Sequence, residues 1–188
     1  MICIRIDKFK YVDNWQDVKD ATMNTIGFSK GKYPDFEWKK KMILAEHSPI
    51  RKIKFSWRWV DIKYWVSVHL VRHWLGIVHF VKTQRTDRTN IDRNDLPQGA
   101  LVNHEADANA QALINISRRR LCSCASPETR EAWKMVKNEV GKVDPAVAHG
   151  MVKDCIYRGH CYEIYSCGYH KTEAFKKELE EYRKGINE

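Results

Sequence analysis

The sequence predicts an α+β domain in which a small mixed sheet packs with several helices. One strong strand pattern comes from residues 53–61, where apolar and polar residues alternate. Helical spacing of apolar residues recurs in longer stretches, such as residues 63–74 and 127–140. Few strands combined with many helices define the α+β class.

The N-terminal part is predicted to contain one strand and two helices. Residues 1–10 alternate like a strand, with Ile2, Ile4 and Ile6 on one face. Residues 14–25 read as a helix closed by Gly27, and a second helix is expected over residues 35–46, behind a proline. A turn follows at Ser48 and Pro49.

The central part is predicted as strand, helix, strand and polar loop. Residues 53–61 form the strand, and its buried face is expected to be Ile53, Phe55, Trp57 and Trp59. Residues 63–74 form a helix that ends before Gly76. The side chains available for burial on this helix are Trp65, Val68, Leu70 and Val71. Residues 77–81 are strand-like, and the chain is then polar to about Gly99.

The remaining chain is predicted to be helical. Helices are expected over residues 106–121, with a continuation toward Cys124, over 127–140 and over 145–155. Residues 158–169 read as a loop, and a charged terminal helix follows over residues 173–184.

Composition limits the class of protein. A chain of 188 residues with 43% hydrophobic residues is long enough for one domain with a buried core. A net charge of +9 favours anionic partners. No apolar run approaches the roughly 20 residues of a membrane span, so no membrane partner is expected. The N-terminus lacks the pattern of a secretory signal, which predicts a cytoplasmic protein with reduced cysteines.

Three cysteines near the C-terminus allow a second interpretation. Cys155, Cys161 and Cys167 are spaced by six residues, and His160 and His170 lie nearby. Thiolates with histidine are typical zinc ligands. However, the segment lacks the paired C-x-x-C spacing of common zinc sites, so we expect no metal.

Two segments combine apolar anchors with arginine, asparagine and histidine. The first is 68–74, followed by the polar run 82–88, and the second is 109–121. Arginine suits phosphate because its planar fork donates two parallel hydrogen bonds. Ordinary surface or helix-end positions would also explain these residues. The sequence contains no P-loop, no G-x-G-x-x-G motif and no recognisable nucleophile with its base, so no catalytic nucleophile is predicted.

The order of these segments resembles the flavin-dependent thymidylate synthases. Arg72-His73 matches the start of that family's R-H-R-x-x-S-x-N-E-x-S-x-R-Y signature, and the segment 83–86 matches its end if one residue is inserted. The segment 48–57 resembles the family's E-H-x-x-F-x-F strand entrance. Segment 109–121 tracks its N-x-R-x-L-x-N helix, with Gln111 in place of the arginine. The resemblance covers about residues 45–135.

The resemblance implies an enzyme that transfers a one-carbon unit from methylenetetrahydrofolate to C5 of dUMP, with FAD as cofactor and NADPH as reductant. It implies a homotetramer with active sites at subunit interfaces. Residues 1–170 would form the flavin- and nucleotide-binding catalytic domain, and residues 171–188 a charged C-terminal helix. The residues expected to contact FAD are Arg72, His73, Asn109, Asn115, Ser48 and Lys52. Those expected to contact the nucleotide are His69, Thr83, Arg85 and Arg120, with Arg85 and Arg120 on its phosphate.

Three alternatives remain open from the sequence. The first is an enzyme of the same fold that transfers a one-carbon group to a different pyrimidine nucleotide, for example by hydroxymethylation, since His69 replaces a glutamine of the family. A member that has lost flavin would keep the fold and the tetramer. A non-catalytic nucleic-acid-binding module would use the basic charge and the seven tryptophans for phosphate contacts and base stacking.

Overall fold

The computed structural model describes residues 4–184, and a four-stranded sheet lies at its centre. The strands are β1 (Arg5–Val12), β2 (Lys54–Lys63), β3 (Ile77–Val81) and β4 (Leu101–Asn109). Their order is β1-β2-β4-β3, with β3 at one edge. The α+β class is confirmed. The sheet, expected to be mixed, has antiparallel pairings throughout the described residues.

The helices of the described residues alternate with the strands and then dominate the C-terminal half. They are α1 (Trp15–Asn24), α2 (Phe36–Leu44), α3 (Tyr64–Val71), α4 (Thr86–Thr89), α5 (Ala110–Arg120), α6 (Pro127–Val143), α7 (Pro145–Gly150), α8 (Asp154–Arg158) and α9 (Glu173–Arg183). Short 3₁₀ turns occur at Ser48–Lys52, Arg93–Asp95 and Tyr169–Lys171.

The buried face of β2 is the one that its alternation predicted. Ile53, Phe55, Trp57 and Trp59 are each at most 1% exposed. Trp133 of α6 packs edge-on against Trp57 at a centroid distance of 6.0 Å. The predicted N-terminal strand is also confirmed, although Ile2 lies outside the described residues.

Helix α3 is present, but it ends at Val71 rather than at Trp74, and part of its expected buried face is wrong. Leu70 is buried, whereas Val68 and Val71 are 42% and 39% exposed. The helix packs against β2, β4 and α6, and its apolar side chains that face away from these elements stay at the surface of the chain.

The predicted helix over residues 106–121 is wrong at its start, because residues 101–109 form β4. Val102, His104, Ala106 and Ala108 alternate as its buried face. Alanine and histidine give a weak strand pattern, and alanine favours helices locally. Pairing with β2 on one side and β3 on the other overrides that preference. The helix begins after Asn109 and ends at Arg120, short of Cys124.

The predicted helix over residues 145–155 is divided into α7 and α8. The chain leaves the helical conformation at Met151, whose φ and ψ are −80° and 75°. Val152 and Ile156 then pack with Phe175 and Tyr182 of α9 in a small second hydrophobic cluster. The terminal helix is confirmed as α9; the division of the chain at residue 170 stays a prediction.

Candidate functional site

The C-terminal ends of α3 and α5 meet at Arg120. Its Nε–H donates to Nε2 of His73 at 2.8 Å, and its Nη2 donates to the main-chain oxygen of His69 at 2.8 Å. Both partners are neutral acceptors. Arg120 has no salt bridge to a carboxylate within residues 4–184. Its half-buried positive charge is therefore held in place without being neutralised.

Arg72 adds a second positive charge to this position. Burial lowers the pKa of Arg120, and the nearby Arg72 guanidinium lowers that pKa further. Arg72 is exposed and, like Arg120, has no carboxylate partner among the described residues. Two arginines held together without a counter-charge repel each other, so the arrangement favours an anion between them.

His73 is uncharged at neutral pH. Burial lowers its pKa to about 4, and the neighbouring Arg120 contributes to the shift. A neutral imidazole has one nitrogen that can accept, and here that nitrogen is Nε2 facing Arg120. His73 therefore orients the guanidinium without competing for an anion.

His69 contributes mainly its backbone to this position. Its ring packs edge-on against Trp65, and Nδ1 lies 3.3 Å from the hydroxyl of Thr129 on α6. Its carbonyl oxygen holds Arg120. The role predicted for the His69 ring stays a prediction.

Gly76 and Asn109 connect the segment after α3 to the start of α5. The main-chain N–H of Asn109 donates to the oxygen of Gly76 at 2.9 Å. Gly76 has φ +76°, and a Cβ there would lie 2.7 Å from Nδ2 of Asn109. The Asn109 side-chain oxygen caps α5 by accepting from the N–H of Ala112. Asn109 is therefore a cap residue rather than the helix-interior residue that the sequence predicted.

A cavity of about 450 Å³ opens beside this connection. Its walls come from β2, β3, β4 and the turn before β3, and include Ser56, Trp74, Asp107 and Asn109. The turn Ser48–Lys52 lies next to it, because Ile53 accepts a hydrogen bond from the N–H of Ala110 at the start of α5. Ser48 and Lys52 are both exposed.

Asn115 belongs to a polar network that the sequence did not predict. Its side-chain oxygen accepts from Gln111 at 3.2 Å and from Arg118 at 3.4 Å. Gln111 also donates to Glu46 at 2.6 Å, and Arg118 forms a salt bridge with Glu46. The guanidinium of Arg118 stacks on the ring of Tyr157. The spacing of Gln111, Asn115 and Arg118 along one helix face was the available signal.

Thr83 and Arg85 lie at the other end of α3. They line a second cavity, of about 450 Å³, together with Tyr64 at the start of that helix. Since α3 has eight residues, its ends are about 12 Å apart. Arg85 is exposed and forms a two-pronged salt bridge with Asp87, at 3.0 and 2.8 Å. One copy of the chain therefore does not bring Arg85 to Arg120.

The cysteine segment shows no metal site in the part of the chain that the structure describes, where no three His, Cys, Asp or Glu side chains are grouped to hold an ion. Cys124 lies close to the 158–169 loop, with its sulfur 3.6 Å from the carbonyl oxygen of Tyr165. Residues 4–184 also contain no helix that is both long and apolar enough to cross a membrane.

Comparison with protein families and with curated proteins gives no match by sequence. Comparison with solved structures gives clear matches. A UMP/dUMP methylase, PolB from Streptomyces cacaoi, bound with 5-Br dUMP, has a TM-score of 0.60 at 14% identity over 79% of this chain and 97% of that chain. The same methylase bound with 5-Br UMP has a TM-score of 0.57, at 14% identity over 79% of this chain and 96% of that chain.

The third match is Thymidylate Synthase X from Helicobacter pylori, solved with FAD and dUMP. Its TM-score is 0.59 at 12% identity, over 81% of this chain and 97% of that chain. The chain has the flavin-dependent thymidylate synthase fold. The resemblance predicted from the sequence is therefore confirmed for the fold. The matched region spans almost the whole length of both matched proteins.

Proposed function

We propose that this protein is a flavin-dependent thymidylate synthase-like enzyme that transfers a one-carbon unit from methylenetetrahydrofolate to C5 of dUMP. The observation that carries the proposal is the Arg120 cluster. Arg120 and Arg72 provide two guanidinium charges without carboxylate partners in residues 4–184, at the end of α3 where the family signature begins. The dianionic phosphate of a nucleotide monophosphate matches this charge.

The fold supports a pyrimidine nucleotide as the ligand. The two matched proteins are described with dUMP, or with brominated dUMP and UMP. In this chain, Arg120 would bind the phosphate while His73 and the His69 carbonyl hold the guanidinium. Thr83 and Arg85 would complete the nucleotide site from a second copy of the chain.

The residues predicted to bind FAD offer hydrogen-bond donors, so they fit a ligand that is rich in acceptor oxygens. The side-chain oxygens of Asn109 and Asn115 are already hydrogen-bonded within the chain, which leaves their amide N–H groups to donate. With Nε2 of His73 accepting from Arg120, its Nδ1–H is also free to donate. Ser48, Lys52 and Arg72 are exposed nearby. Such a set of donors suits the pyrophosphate and carbonyl oxygens of FAD.

FAD bound here would supply the reducing equivalents of the reaction, with NADPH as their source. The methylene carbon of the folate and one hydride would become the methyl group of dTMP, and tetrahydrofolate and NADP⁺ would be released. The protein's own residues would bind and orient the nucleotide.

Exposed apolar side chains around α3 and β3 support assembly with further copies, for which we propose the family's homotetramer. Trp74 is 73% exposed and Phe80 is 55% exposed. The other members of this group are Val68, Val71, Leu75 and Val78. Exposed apolar surface of this kind is typical of protein interfaces.

The tryptophans favour this proposal over a nucleic-acid-binding module. Trp57 and Trp59 are fully buried, so neither ring is accessible to a base. Trp15 and Trp133 are fully buried as well. A stacking platform needs a row of exposed aromatic rings along the basic groups, whereas Trp74, beside Arg72, is the one tryptophan of residues 4–184 with an exposed side chain.

The visible absorption spectrum of the protein with added FAD tests the cofactor. We expect a bound flavin band that shifts when dUMP is added. A protein that retains no FAD while still binding dUMP would mean that the fold has kept the nucleotide site and lost the cofactor.

Product analysis tests the reaction. With dUMP, methylenetetrahydrofolate, FAD and NADPH, we expect a product heavier than dUMP by one CH₂. A product heavier by CH₂O, formed without NADPH, would identify a hydroxymethylase instead. Running UMP and dCMP in parallel defines the pyrimidine, and an unmodified nucleotide in every reaction would contradict the proposal.

A further inference from the structure

A chain of three histidines connects the sheet core to Arg120. Nε2 of His79 lies 2.8 Å from the main-chain oxygen of His73, and Nδ1 of His79 lies 2.9 Å from Nε2 of His104. His104 is 0% exposed and packs edge-on against Trp59, with centroids 5.0 Å apart. The other end of the chain is the hydrogen bond from Arg120 to His73.

The partners determine the tautomer of each ring. A carbonyl oxygen only accepts, so His79 donates from Nε2 and carries no proton on Nδ1 when neutral. Nδ1 of His79 must then accept from Nε2–H of His104. An arginine only donates, so His73 accepts at Nε2 and has its proton on Nδ1. One consistent set of protons satisfies all three contacts.

The rings are neutral around pH 7. Burial lowers the pKa of His104 to about 3 and that of His73 to about 4, and burial also lowers the pKa of His79. In this set of tautomers, Nδ1 of His104 has no hydrogen on it. This agrees with its having no hydrogen-bond partner, because an unpaired acceptor inside the core costs less than an unpaired charged donor.

We propose that His104 and His79 are positioning residues that hold His73, and through it Arg120, in the orientation that binds the nucleotide phosphate. The inference rests on the proposed function for the identity of the ligand. The hydrogen bonds between the histidines are observed whatever the ligand is. His104 lies in the middle of β4 and pairs with Trp59 of β2 and Val81 of β3, so the hydrogen bonds between the histidines connect the guanidinium to a strand that is held on both sides.

Two substitutions of His104 separate the effect of its N–H donor from the effect of its side-chain size. His104→Leu removes the Nε2–H, so Nδ1 of His79 loses its donor and only the His73 carbonyl still holds the His79 ring. His104→Gln retains an amide N–H at the equivalent position and should preserve the chain. Val102→Ala is the matched control, since Val102 is buried on the same face of β4, two residues away, and takes no part in the chain.

The first measurement uses ligand-free protein. Long-range nitrogen–proton NMR of the imidazoles should show His73 protonated on Nδ1, and His79 and His104 protonated on Nε2. His104→Leu should shift the Nδ1 signal of His79, which loses its hydrogen bond, and increase solvent exchange of the Arg120 Nε–H, whereas Val102→Ala should change neither. Other tautomers in the native protein, or an unchanged Arg120 signal in His104→Leu, would overturn the proposal.

The second measurement is affinity for dUMP and for deoxyuridine, which lacks the phosphate. A misplaced binding group typically costs up to about a hundredfold, so we expect His104→Leu to weaken dUMP binding about ten- to a hundredfold and leave deoxyuridine unchanged. His104→Gln should restore dUMP binding, and Val102→Ala should lower only the melting temperature. Equal losses for both ligands would overturn positioning. Native protein with the predicted tautomers but no dUMP binding would contradict the proposed function alone.

Discussion

The two ends of α3 show two ways of presenting an arginine. At the C-terminal end, Arg120 is half-buried and hydrogen-bonded to His73 and to the His69 carbonyl. At the N-terminal end, Arg85 is exposed and its guanidinium is paired with Asp87, two residues away. The first arginine is positioned by side chains remote in sequence, whereas the second is held by its immediate neighbour.

This difference shows which part of the proposed phosphate site is already arranged within a single copy of the chain. Arg120 loses no carboxylate partner when an anion binds, so little free energy is spent on rearrangement. Arg85 must first leave Asp87, an exposed pair that is worth at most about 1 kcal/mol. We therefore expect Arg120 to dominate phosphate binding, and Arg85 to add to it after a second copy approaches.

The largest effect is expected for Arg120→Ala. Removing a buried partner of a charged group typically costs about 2–5 kcal/mol, which corresponds to a loss of dUMP affinity from about thirtyfold to several thousandfold. Isothermal titration calorimetry measures this loss. Arg119→Ala is the matched control, because the adjacent Arg119 is exposed and forms a salt bridge with Glu163 instead. Equal dUMP affinity in Arg120→Ala and the native protein would contradict the phosphate role.

Gly76→Ala tests how rigid the structure is at the C-terminal end of α3, where Arg120 is held. The new Cβ would meet the Asn109 side chain in a left-handed backbone conformation, so we expect a loss of about 2–3 kcal/mol in the free energy of unfolding. Urea denaturation measures it. Gly27→Ala provides the control, since Gly27 has φ +84° but no atom within 4 Å of the added Cβ. Equal destabilisation of both variants would mean that the contact with Asn109 contributes nothing.

Arg85→Ala should weaken dUMP binding less, by about tenfold, because Arg85 is exposed and already paired. A mixing experiment tests whether it acts between copies. If Arg85 and Arg120 come from different subunits, random co-assembly of Arg85→Ala with Arg120→Ala restores about a quarter of the sites. Product formation that stays at the level of the separate variants would place both residues in one subunit's site, or neither in the site.

The last prediction concerns a different quantity, the pH dependence of stability at the Arg120 end of α3. Folding lowers the pKa of His73 to about 4 and that of His104 to about 3, both below the ordinary value of 6.5. As the pH falls below about 6.5, the unfolded state takes up protons before the folded state does. The free energy of unfolding should therefore be constant above about pH 7 and decrease between about pH 6.5 and 4.

Urea denaturation at a series of pH values measures this dependence. His104→Gln removes one of the buried histidines that contribute, so its curve should be shallower than that of the native protein. An identical slope in this variant would mean that His104 is not the group that couples protons to folding.

Much of the fold followed from local patterns. The alternation of β2 predicted its buried face, and the helix predicted from residue 127 is found as α6. Strand β4 was missed, because alanine and histidine do not give the contrast between apolar and polar positions on which a period of two depends. Its identity comes from pairing with β2 and β3, which lie far from it in sequence.

The candidate site was predictable only as a set of residue types. Arg72, His73 and Arg120 were identified from their pattern, and the structure brings them together. Nothing in the pattern predicted that Asn109 caps α5, that Glu46 and Arg118 form an ion pair beside Asn115, or that Arg85 lies at the opposite end of α3.

The sequence by itself determined the α+β class, the buried face of β2, most helices and the presence of two basic segments. These follow from the contrast between neighbouring side chains in water, which is a local property. The tertiary structure alone decided that β4 is a strand, that Arg120 meets His73, and that three histidines are neutral and connected. Those outcomes depend on distances between residues remote in sequence and on burial, which lowers histidine pKa values only after the sheet and helices have packed.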